Sequence, residues 1–409
     1  MPTVSEIRVS IDVGCHSHSV AIGLPTGEVL EEFDLQHRPE GFDLFFARVE
    51  RCQRRYGGEV SVAMEGYNGW ARPLDTLVRS HGYRLFNINN LKLARFKEIF
   101  PAAAKNDRID ARKGLELFQL CDHLPVARGV LQEVAATPLE NDQLKRLTRR
   151  RRALVEERSR LLCRMQADLQ AACPGLLAIT PNADNVWFLN LLTHSDDLCK
   201  LARLRATTLL GIQGIGRKYA ALITAWQKSA HFSHDVAWVG PMIIEDARRI
   251  LELRAAIKAL EARCAERVAQ SEIAQCIDSI PGFGLVCAAE IAGELGTVAR
   301  FANDGSLAVY MGMATLDNSS GKHRGSKNPK HVNTRAKAAM MVGIDRHRKQ
   351  VPESQRYYEK KRTQGKTHNQ AIRALGRHLC RVIFSMLKQG RCYEIREAKE
   401  TAIFKVVVA

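Results

Sequence analysis

Four acidic residues in the first part of the chain have the types and the spacing for metal-dependent chemistry. They are Asp12 in SIDVG, Glu65 at the end of VAMEG, and Asp107 and Asp110 in KNDRIDARKGLEL. Residues three apart on a helix hold their β-carbons about 5–6 Å from each other, and carboxylates this close repel one another unless a cation neutralises them. We interpret the four acids as metal ligands. The alternative is that a lone aspartate after a strand forms a turn and that Asp107 and Asp110 decorate a helix start.

Mg²⁺ is the metal that this ligand set favours, and Mn²⁺ is a substitute for it. Mg²⁺ prefers hard oxygen ligands in an octahedral shell at about 2.0–2.1 Å, and two such ions roughly 3.5–4 Å apart can activate an attacking oxygen and stabilise a leaving oxygen at phosphorus. Basic residues surround the last two acids, and we expect them to hold a polyanion: Lys105, Arg108, Arg112 and Lys113.

The elements that must position these acids follow one another as strands and helices. Residues 7–36 read as three strands, the last two joined as a hairpin through Gly27. A helix, a strand, a helix, a strand and a helix follow. This order predicts a mixed sheet with helices on its faces, in an α/β domain of about 125 residues. The acids converge if the first and fourth strands are neighbours and the last helix crosses their ends.

Composition narrows the class of partner. The chain has 409 residues, 61 Lys and Arg against 44 Asp and Glu, and a formal net charge of +17. With 45% hydrophobic residues it is typical of globular proteins, so the basic excess lies on the surface and favours nucleic acid. No apolar run reaches the roughly 20 residues of a membrane helix, and we expect a soluble, intracellular protein without a membrane partner. The 11 cysteines form no CxxC pair, and we interpret His16 and His18 as turn or strand surface.

Two long helices and a short repeat follow. Leu147, Leu154 and Leu161 are seven apart, and a second run from Ile250 to Cys264 has the spacing of a coiled-coil seam. The two helices could pair with each other or each with another subunit. LLGIQGIGRKYAALI and CIDSIPGFGLVCAAEI align as helix-hairpin-helix units, in which Gly282 and Gly284 would let the backbone approach a phosphate. The alternative is a tight turn between helices that contacts no ligand.

The C-terminal part is basic and helical. NQAIRALGRHLCRVIFSMLKQG carries one apolar face for a core and arginines four apart on another face. From residue 322 to residue 391 basic residues far outnumber acids, which favours phosphate contact.

The order SIDVG, AMEG, KNDRIDA resembles the DEDD RuvC-like (RNase H-like) domain of bacterial insertion-sequence transposases in the group called IS one-ten, the bridge-RNA-guided recombinases. The segments IPGFGLVCAAEIAGELGTVARFANDGSLAVYMGM, NSSGKHRG and QGKTHNQAIRALGRHLCRVIFSMLKQGRCYE are similar to the C-terminal half of that family. The resemblance covers residues 7–125 and about 277–393. The middle shares only a coiled-coil character.

The resemblance implies a fold and a division of the chain. The implied fold is α/β plus all-α: a RuvC-like mixed-sheet domain at 1–130, a coiled-coil helical region with an insertion at 131–275, and a helical transposase domain with a helix-hairpin-helix-like motif at 276–409. It also implies that Asp12, Glu65, Asp107 and Asp110 are the catalytic acids and that Ser320 is the nucleophile, with Ser319 as the near alternative.

The implied activity is RNA-guided recombination of DNA through a covalent serine–DNA intermediate. The implied partners are donor and target DNA, a structured non-coding bridge RNA, and further copies of the chain in a homo-oligomer, expected to be a dimer of dimers. The implied location is the bacterial cytoplasm, in association with the nucleoid. Nucleic-acid contacts are expected from these residues: Lys105, Arg108, Arg112, Gly282, Gly284, Lys322, Arg324, Lys327, Lys330, Asn333 and Arg335.

The sequence departs from the family pattern at two places. Val332 stands where a glycine is expected after the serine loop, although Asn333 and Arg335 are present. The chain also has extra sequence at about residues 175–245. Two other functions stay open: a hydrolytic nuclease of the junction-resolvase kind in which Ser320 is idle, and a non-catalytic scaffold that binds nucleic acid.

Overall fold

The computed structural model describes residues 6–66, 69–98, 107–124, 130–322, 324–330 and 332–394. Contacts divide the chain into two units, Met1–Ala136 and Thr137–Ala409. The division of residues 137–409 into a middle region and a C-terminal domain stays a prediction. Among the described residues, no helix combines the length and the apolar character that a bilayer span requires.

A six-stranded mixed sheet forms the first unit, with strand order β3-β2-β1-β4-β5-β6. The first strand pairs antiparallel with the second and parallel with the fourth, which is the neighbour relation that convergence of the acids requires. The strands are β1 (Glu6–Val13), β2 (Ser17–Gly23), β3 (Val29–Gln36), β4 (Glu59–Glu65), β5 (Arg84–Ile88) and β6 (Leu131–Glu133).

The two faces of this sheet differ in side-chain size because successive residues of a strand point to opposite faces. Large apolar residues such as Val9, Ile11 and Val62 cover one face and pack against α1 (Pro39–Tyr56) and α2 (Arg72–Ser80). Small or polar residues cover the other face, where helix α4 packs. The small or polar residues of this face are Ser10, Ala21, Ser61 and Ala63. The remaining helices of this unit are α3 (Asn90–Glu98) and α4 (Asp107–His123).

Two long helices of the second unit, α5 (Leu139–Ala172) and α9 (Val236–Val268), pack against each other. The ion pair Arg164–Asp246 and the ion pair Arg151–Glu261 join them, so the helices run antiparallel. The sequence left two pairings open, and the structure shows the first of them: the long helices pair with each other within one chain.

The extra sequence at residues 175–245 folds onto one end of this helix pair. Its helices share a core with Met165 and Leu169 near the end of α5 and with Ile250 of α9. They are α6 (Val186–Leu192), α7 (Ala206–Gly211) and α8 (Arg217–Gln227), with 3-10 helices at Leu176–Ile179 and Leu198–Arg203.

The remaining elements form a second helical core around Phe283, Met340 and Ile383. The apolar face predicted for residues 372–387 is buried in it at Ile372 and Leu379. The elements are α10 (Glu272–Asp278), α11 (Gly284–Leu295), a 3-10 helix at Val298–Arg300, α12 (Asp304–Tyr310), a hairpin of β7 (Leu316–Asp317) and β8 (Ser326–Lys327), α13 (Thr334–Gln350), α14 (Pro352–Thr363) and α15 (His368–Gln389).

Candidate active-site acids and the serine hairpin

Strand register places Asp12 and Glu65 side by side. The register between β1 and β4 pairs Ile11 with Met64, so Asp12 and Glu65 are the next residues at the carboxyl ends of two parallel strands. Adjacent strands lie about 4.8 Å apart, and residues in register point to the same face. Both acids are partly exposed and both belong to the face with small and polar side chains.

The direction of α4 brings Asp110 toward the same sheet edge. A β-carbon at Gly114 would lie 1.8 Å from the Ser10 hydroxyl, so only glycine allows this close approach. Further along α4, Asp122 binds Arg8, an earlier residue of β1, so the helix runs antiparallel to the strand. Asp110 precedes Gly114 by one helical turn, about 6 Å, and Asp12 follows Ser10 by a similar length of strand. Both acids therefore extend toward the carboxyl end of β1.

Ion pairs to β3 fix the first turns of α4. The Arg108 guanidinium contacts the Asp34 carboxylate at 2.8 Å, and Arg112 contacts Glu32 at 2.6 Å. Ser19 also donates a hydrogen bond to Asp34, at 2.6 Å, and Ser19 pairs in register with Asp12. The hydrogen bond from Arg108, and next the one from Ser19, lowers the pKa of Asp34.

Asp34 and Glu32 are residues that the sequence reasoning did not identify. The signal was available, because they alternate with Phe33 and Leu35 along a strand and so share one face. They give Arg108 and Arg112 carboxylate partners within the fold. Lys105, predicted beside them, lies outside the described residues.

The acids lie toward the same edge of the sheet, but their side chains are not arranged as a metal-binding shell. Within the described parts of the chain, no group of three or more His, Cys, Asp or Glu could hold a metal ion as it stands. Asp107, the first residue of α4, is exposed. The donor set nevertheless fits a hard divalent cation, because carboxylate oxygens are the ligands that Mg²⁺ prefers. Side-chain rotation at Asp12, Glu65 and Asp110 would have to complete a shell.

Ser320 lies in the second unit, in the loop between β7 and β8. The hairpin is closed by pairing of Asp317 with Ser326 and by a hydrogen bond from the Asn318 amide to the Gly325 carbonyl. Ser320 is exposed and is followed by Gly321, whose φ of 55° lies in the left-handed region that favours glycine. Ser319 donates a hydrogen bond of 2.7 Å to Asp317. The two candidate serines thus differ, because the Ser319 hydroxyl is held by a carboxylate.

The predicted basic contacts near Ser320 are on the surface. All five are exposed, so their charged groups can reach a ligand in solvent: Lys322, Arg324, Lys327, Lys330 and Arg335.

Asn333 has a role inside the fold. Its side-chain oxygen accepts hydrogen bonds from the Arg335 and Ala336 amides and so caps α13. Its side-chain nitrogen donates to Glu294 and to the Tyr310 hydroxyl, each at 2.7 Å. These four bonds use the full capacity of the amide, so Asn333 in this conformation offers no group to nucleic acid.

The two glycine motifs each connect two helices. Gly214 and Gly282 have nearly equal left-handed φ values, 88° and 89°. A β-carbon at Gly282 would lie 2.4 Å from the His347 amide nitrogen, so close packing against α13 requires this glycine. Gly284 begins α11 and has open space beside it. Of the two predicted contacts, only Gly284 therefore leaves room for a ligand.

Two protein-family models match the chain. The model described as DEDD transposase of IS110 matches residues 9–174, and the model described as transposase of the IS116/IS110/IS902 family matches residues 274–359. The first match contains the four acids and the second contains Ser320.

Curated proteins of insertion elements are similar over most of their length. An uncharacterized 42 kDa protein of insertion element IS900 from Mycobacterium paratuberculosis is 27% identical over 346 residues, which are 82% of this chain and 85% of the relative. Uncharacterized proteins of IS110 from Streptomyces coelicolor and of IS116 from Streptomyces clavuligerus are 24% and 26% identical, each over 95% of this chain and 96% of the relative. With both family models and these relatives in agreement, the chain belongs to the IS110/IS116/IS902 family of insertion-sequence transposases.

Proposed function

We propose that this transposase is an RNA-guided DNA recombinase that cuts and rejoins strands through a covalent bond between DNA and Ser320, assisted by Mg²⁺ at the acidic edge. The observation that carries the proposal is the placement of Asp12, Glu65 and Asp110 toward one end of neighbouring strands. The exposed Ser320 hydroxyl in a separate hairpin supplies a candidate nucleophile. Mn²⁺ would substitute for Mg²⁺.

The proposed reaction conserves the phosphodiester. The Ser320 oxygen forms a bond to phosphorus and loses its proton, while the bond from phosphorus to one strand's bridging oxygen breaks and that oxygen gains a proton. Attack by a hydroxyl of the new strand reverses these changes and frees the serine. Because one phosphoester replaces another at each step, no ATP is needed.

The acids hold the metal in this proposal. Bound Mg²⁺ supplies electrostatic stabilisation of the charge that develops at phosphorus. Asp12 and Glu65 would provide oxygens from the strand ends, and Asp107 and Asp110 would provide oxygens from the first turn of α4. A serine at its ordinary pKa is a poor nucleophile toward phosphodiesters, so its activation requires such an environment.

Basic residues would hold the flanking backbone. Lys322, Arg324 and Lys327 lie on the serine hairpin itself, and Lys330 and Arg335 follow it. Their contacts position the strand and carry no base specificity. Lys105, Arg108, Arg112 and the turn at Gly284 are the corresponding candidates elsewhere in the chain.

RNA guidance and assembly rest on the resemblance of the sequence motifs to the bridge-RNA-guided family. In this proposal a structured non-coding RNA selects donor and target DNA by base pairing, and the acids of one subunit meet the serine of another in a dimer of dimers. The division of acids and serine between two units is compatible with such a shared site. The helix-hairpin-helix-like turn and the α5–α9 pair would contribute contacts to nucleic acid and contacts between subunits.

A hydrolytic nuclease is the second candidate. All four acids lie in the first unit, which does not contain the serine. A metal-activated water could attack phosphorus there without Ser320. The products differ, because hydrolysis leaves free DNA ends and no DNA attached to protein.

The test is detection of a protein–DNA adduct. The protein is incubated with Mg²⁺ and a DNA–RNA set built from its own element, and products are separated on a denaturing gel. We expect adduct and joined strands with the unchanged chain, none with Ser320→Ala, and both with the matched control Ser319→Ala. Asp12→Asn should also abolish both. Strand joining by Ser320→Ala would overturn the serine mechanism, and cleavage without joining would favour the nuclease.

A further inference from the structure

A cavity of about 580 Å³ lies beside the base of the serine hairpin. Its walls come from α14, from α15 and from the chain around β7 and β8. Tyr357 and Lys361 contribute from α14, Arg373 from α15, and Thr315 and Asn328 from the hairpin side. The cavity is therefore formed by three separate parts of the C-terminal region.

Positive charge dominates this cavity. Of the described residues that line it, four are cationic, Lys361, Lys366, Arg373 and Arg377, and none carries a carboxylate. Asp304 pairs with Arg377 at 2.7 Å. Among the described residues, no carboxylate forms a salt bridge with the other three cations. A concave site with uncompensated positive charge concentrates anions.

The positive charges near the cavity also affect the pKa of His378. Burial is the main cause that lowers the pKa of this ring, and the charges of Arg381, Arg377 and Lys361 lower it further. The ring nitrogen lies 2.9 Å from the Tyr357 hydroxyl. The wall therefore also contains a histidine ring and a tyrosine hydroxyl, bonded to each other, beside the cations.

The cavity is coupled to the hairpin that carries Ser320. Arg373 contacts the Asn328 side chain at 3.4 Å, and Ser326 of β8 lines the cavity. Thr315 stands five residues before Ser320, so the extended chain between them spans at most about 17 Å. Successive nucleotides of one strand rise about 3.4 Å, so this reach corresponds to about five nucleotides.

We propose that this cavity binds a backbone phosphate of the DNA strand that Ser320 attacks, within about five nucleotides of the reacting phosphodiester. The identity of the strand rests on the proposed function. The binding of a DNA phosphate does not, because it depends on the cavity alone.

Paired substitutions in the full chain test the cavity. Lys361→Gln with Arg373→Gln removes two cavity charges, and Lys360→Gln with Lys388→Gln removes two charges from the same helices outside the cavity. Binding to a fluorescent DNA duplex is measured by anisotropy from 50 to 200 mM salt. We expect the cavity pair to weaken binding at least fivefold more than the control pair, and to lower the slope of log affinity against log salt by about 1 to 2.

The outcomes separate this inference from the proposed function. Equal effects of the two pairs would overturn the phosphate site, as would a loss confined to an RNA duplex of the same length. Circular dichroism of each variant excludes loss of folding as the cause. Lys366→Gln is a further cavity variant at an exposed position, where the substitution leaves the packed core unchanged. Adduct yield provides the second readout: the cavity pair should lower it at 200 mM salt more than at 50 mM. Strand joining by Ser320→Ala would overturn the serine mechanism and leave the affinity result unchanged.

Discussion

His18 is buried, although its sequence context indicated a surface position. The sequence reasoning placed both His16 and His18 on a turn or strand surface, and for His18 this was wrong: it is 1% exposed, whereas His16 is exposed. Its ring nitrogen lies 2.8 Å from a ring nitrogen of His37. Burial, and next the neighbouring His37 ring, lowers the pKa of His18 to about 4.

This pKa predicts a pH dependence of stability. An unfolded histidine titrates near 6.5, so between pH 6.5 and 4 the unfolded chain binds the proton that folded His18 excludes. The free energy of unfolding must fall as pH drops through that window, by a total on the order of 3 kcal/mol. We expect His18→Gln to reduce the loss between pH 7 and pH 4.5 by about 2 kcal/mol, measured by urea unfolding. His16→Gln is the control, and an unchanged slope in His18→Gln would contradict the burial argument.

The serine differs from the acids at the residue scale. Asp12 and Glu65 are held by strand register in a six-stranded sheet, whereas Ser320 lies in a short hairpin held by two-residue strands and by the hydrogen bond from Asn318 to Gly325. The SSGK sequence by itself is typical of a solvent-facing loop, and the fold confirms only that Ser320 is exposed. Its role as nucleophile stays a prediction.

At the element scale, Asn333 links the serine hairpin to the long helix α5. It caps α13 and donates a hydrogen bond to Glu294, whose side chain is 1% exposed. Glu294 in turn receives Arg149 of α5 at 2.7 Å. Asn333 immediately precedes α13 and follows the end of β8 by six residues, so the network fixes the point at which the chain from the hairpin enters α13.

The network predicts that replacing Asn333 lowers the free energy of unfolding by more than the loss of a helix cap alone. Asn333→Ala removes a cap worth about 1 kcal/mol and leaves a buried Glu294 oxygen without its amide donor, for a total loss of about 2–3 kcal/mol in the free energy of unfolding. The control is Asn303→Ala, which removes the exposed cap of α12 and should cost about 1 kcal/mol. Urea unfolding followed by circular dichroism compares the two variants. Equal losses would show that the bonds from Asn333 to Glu294 and Tyr310 contribute nothing beyond the cap.

At the scale of the whole molecule, each unit has a core of its own. The sheet and its helices bury Phe45 and Met64 in the first unit, and the helical unit buries Phe188 and Phe283. Because each set of buried apolar side chains is complete within one unit, each should fold when expressed by itself.

Separate expression tests this independence. A fragment of residues 1–136 should show a mixed α/β circular dichroism spectrum and one cooperative urea transition, and a fragment of residues 137–409 should show a mainly helical spectrum. The 1–136 fragment should bind Mn²⁺ in a titration followed by electron paramagnetic resonance, and Asp12→Asn should weaken this binding at least tenfold. A fragment 1–136 that stays unfolded would contradict independence, and a folded one that ignores Mn²⁺ would contradict the metal assignment.

Local pattern determined much of the first unit and of the last helices. Alternation in residues 7–36 and helical spacing in residues 372–387 depend on neighbours a few positions away, so β1 to β5, α1 and the buried face of α15 could be predicted from the sequence. The three-residue strand β6 was not predicted, because it is too short to show a pattern. The sequence left the neighbour relation of β1 and β4 as a condition for convergence of the acids, and the observed sheet meets this condition. The resemblance of motifs then pointed to the acids and Ser320.

Only the tertiary structure decided which distant groups meet. The ion pairs of Arg108 and Arg112 with Asp34 and Glu32, the bond from Asn333 to Glu294, the pairing of α5 with α9 within one chain, and the cationic cavity beside the hairpin all join residues far apart in the sequence. Such contacts depend on register and packing angle, which no local pattern encodes. The sequence thus determined the elements and the chemical types of the candidate site, and three-dimensional packing determined which of those groups already have partners.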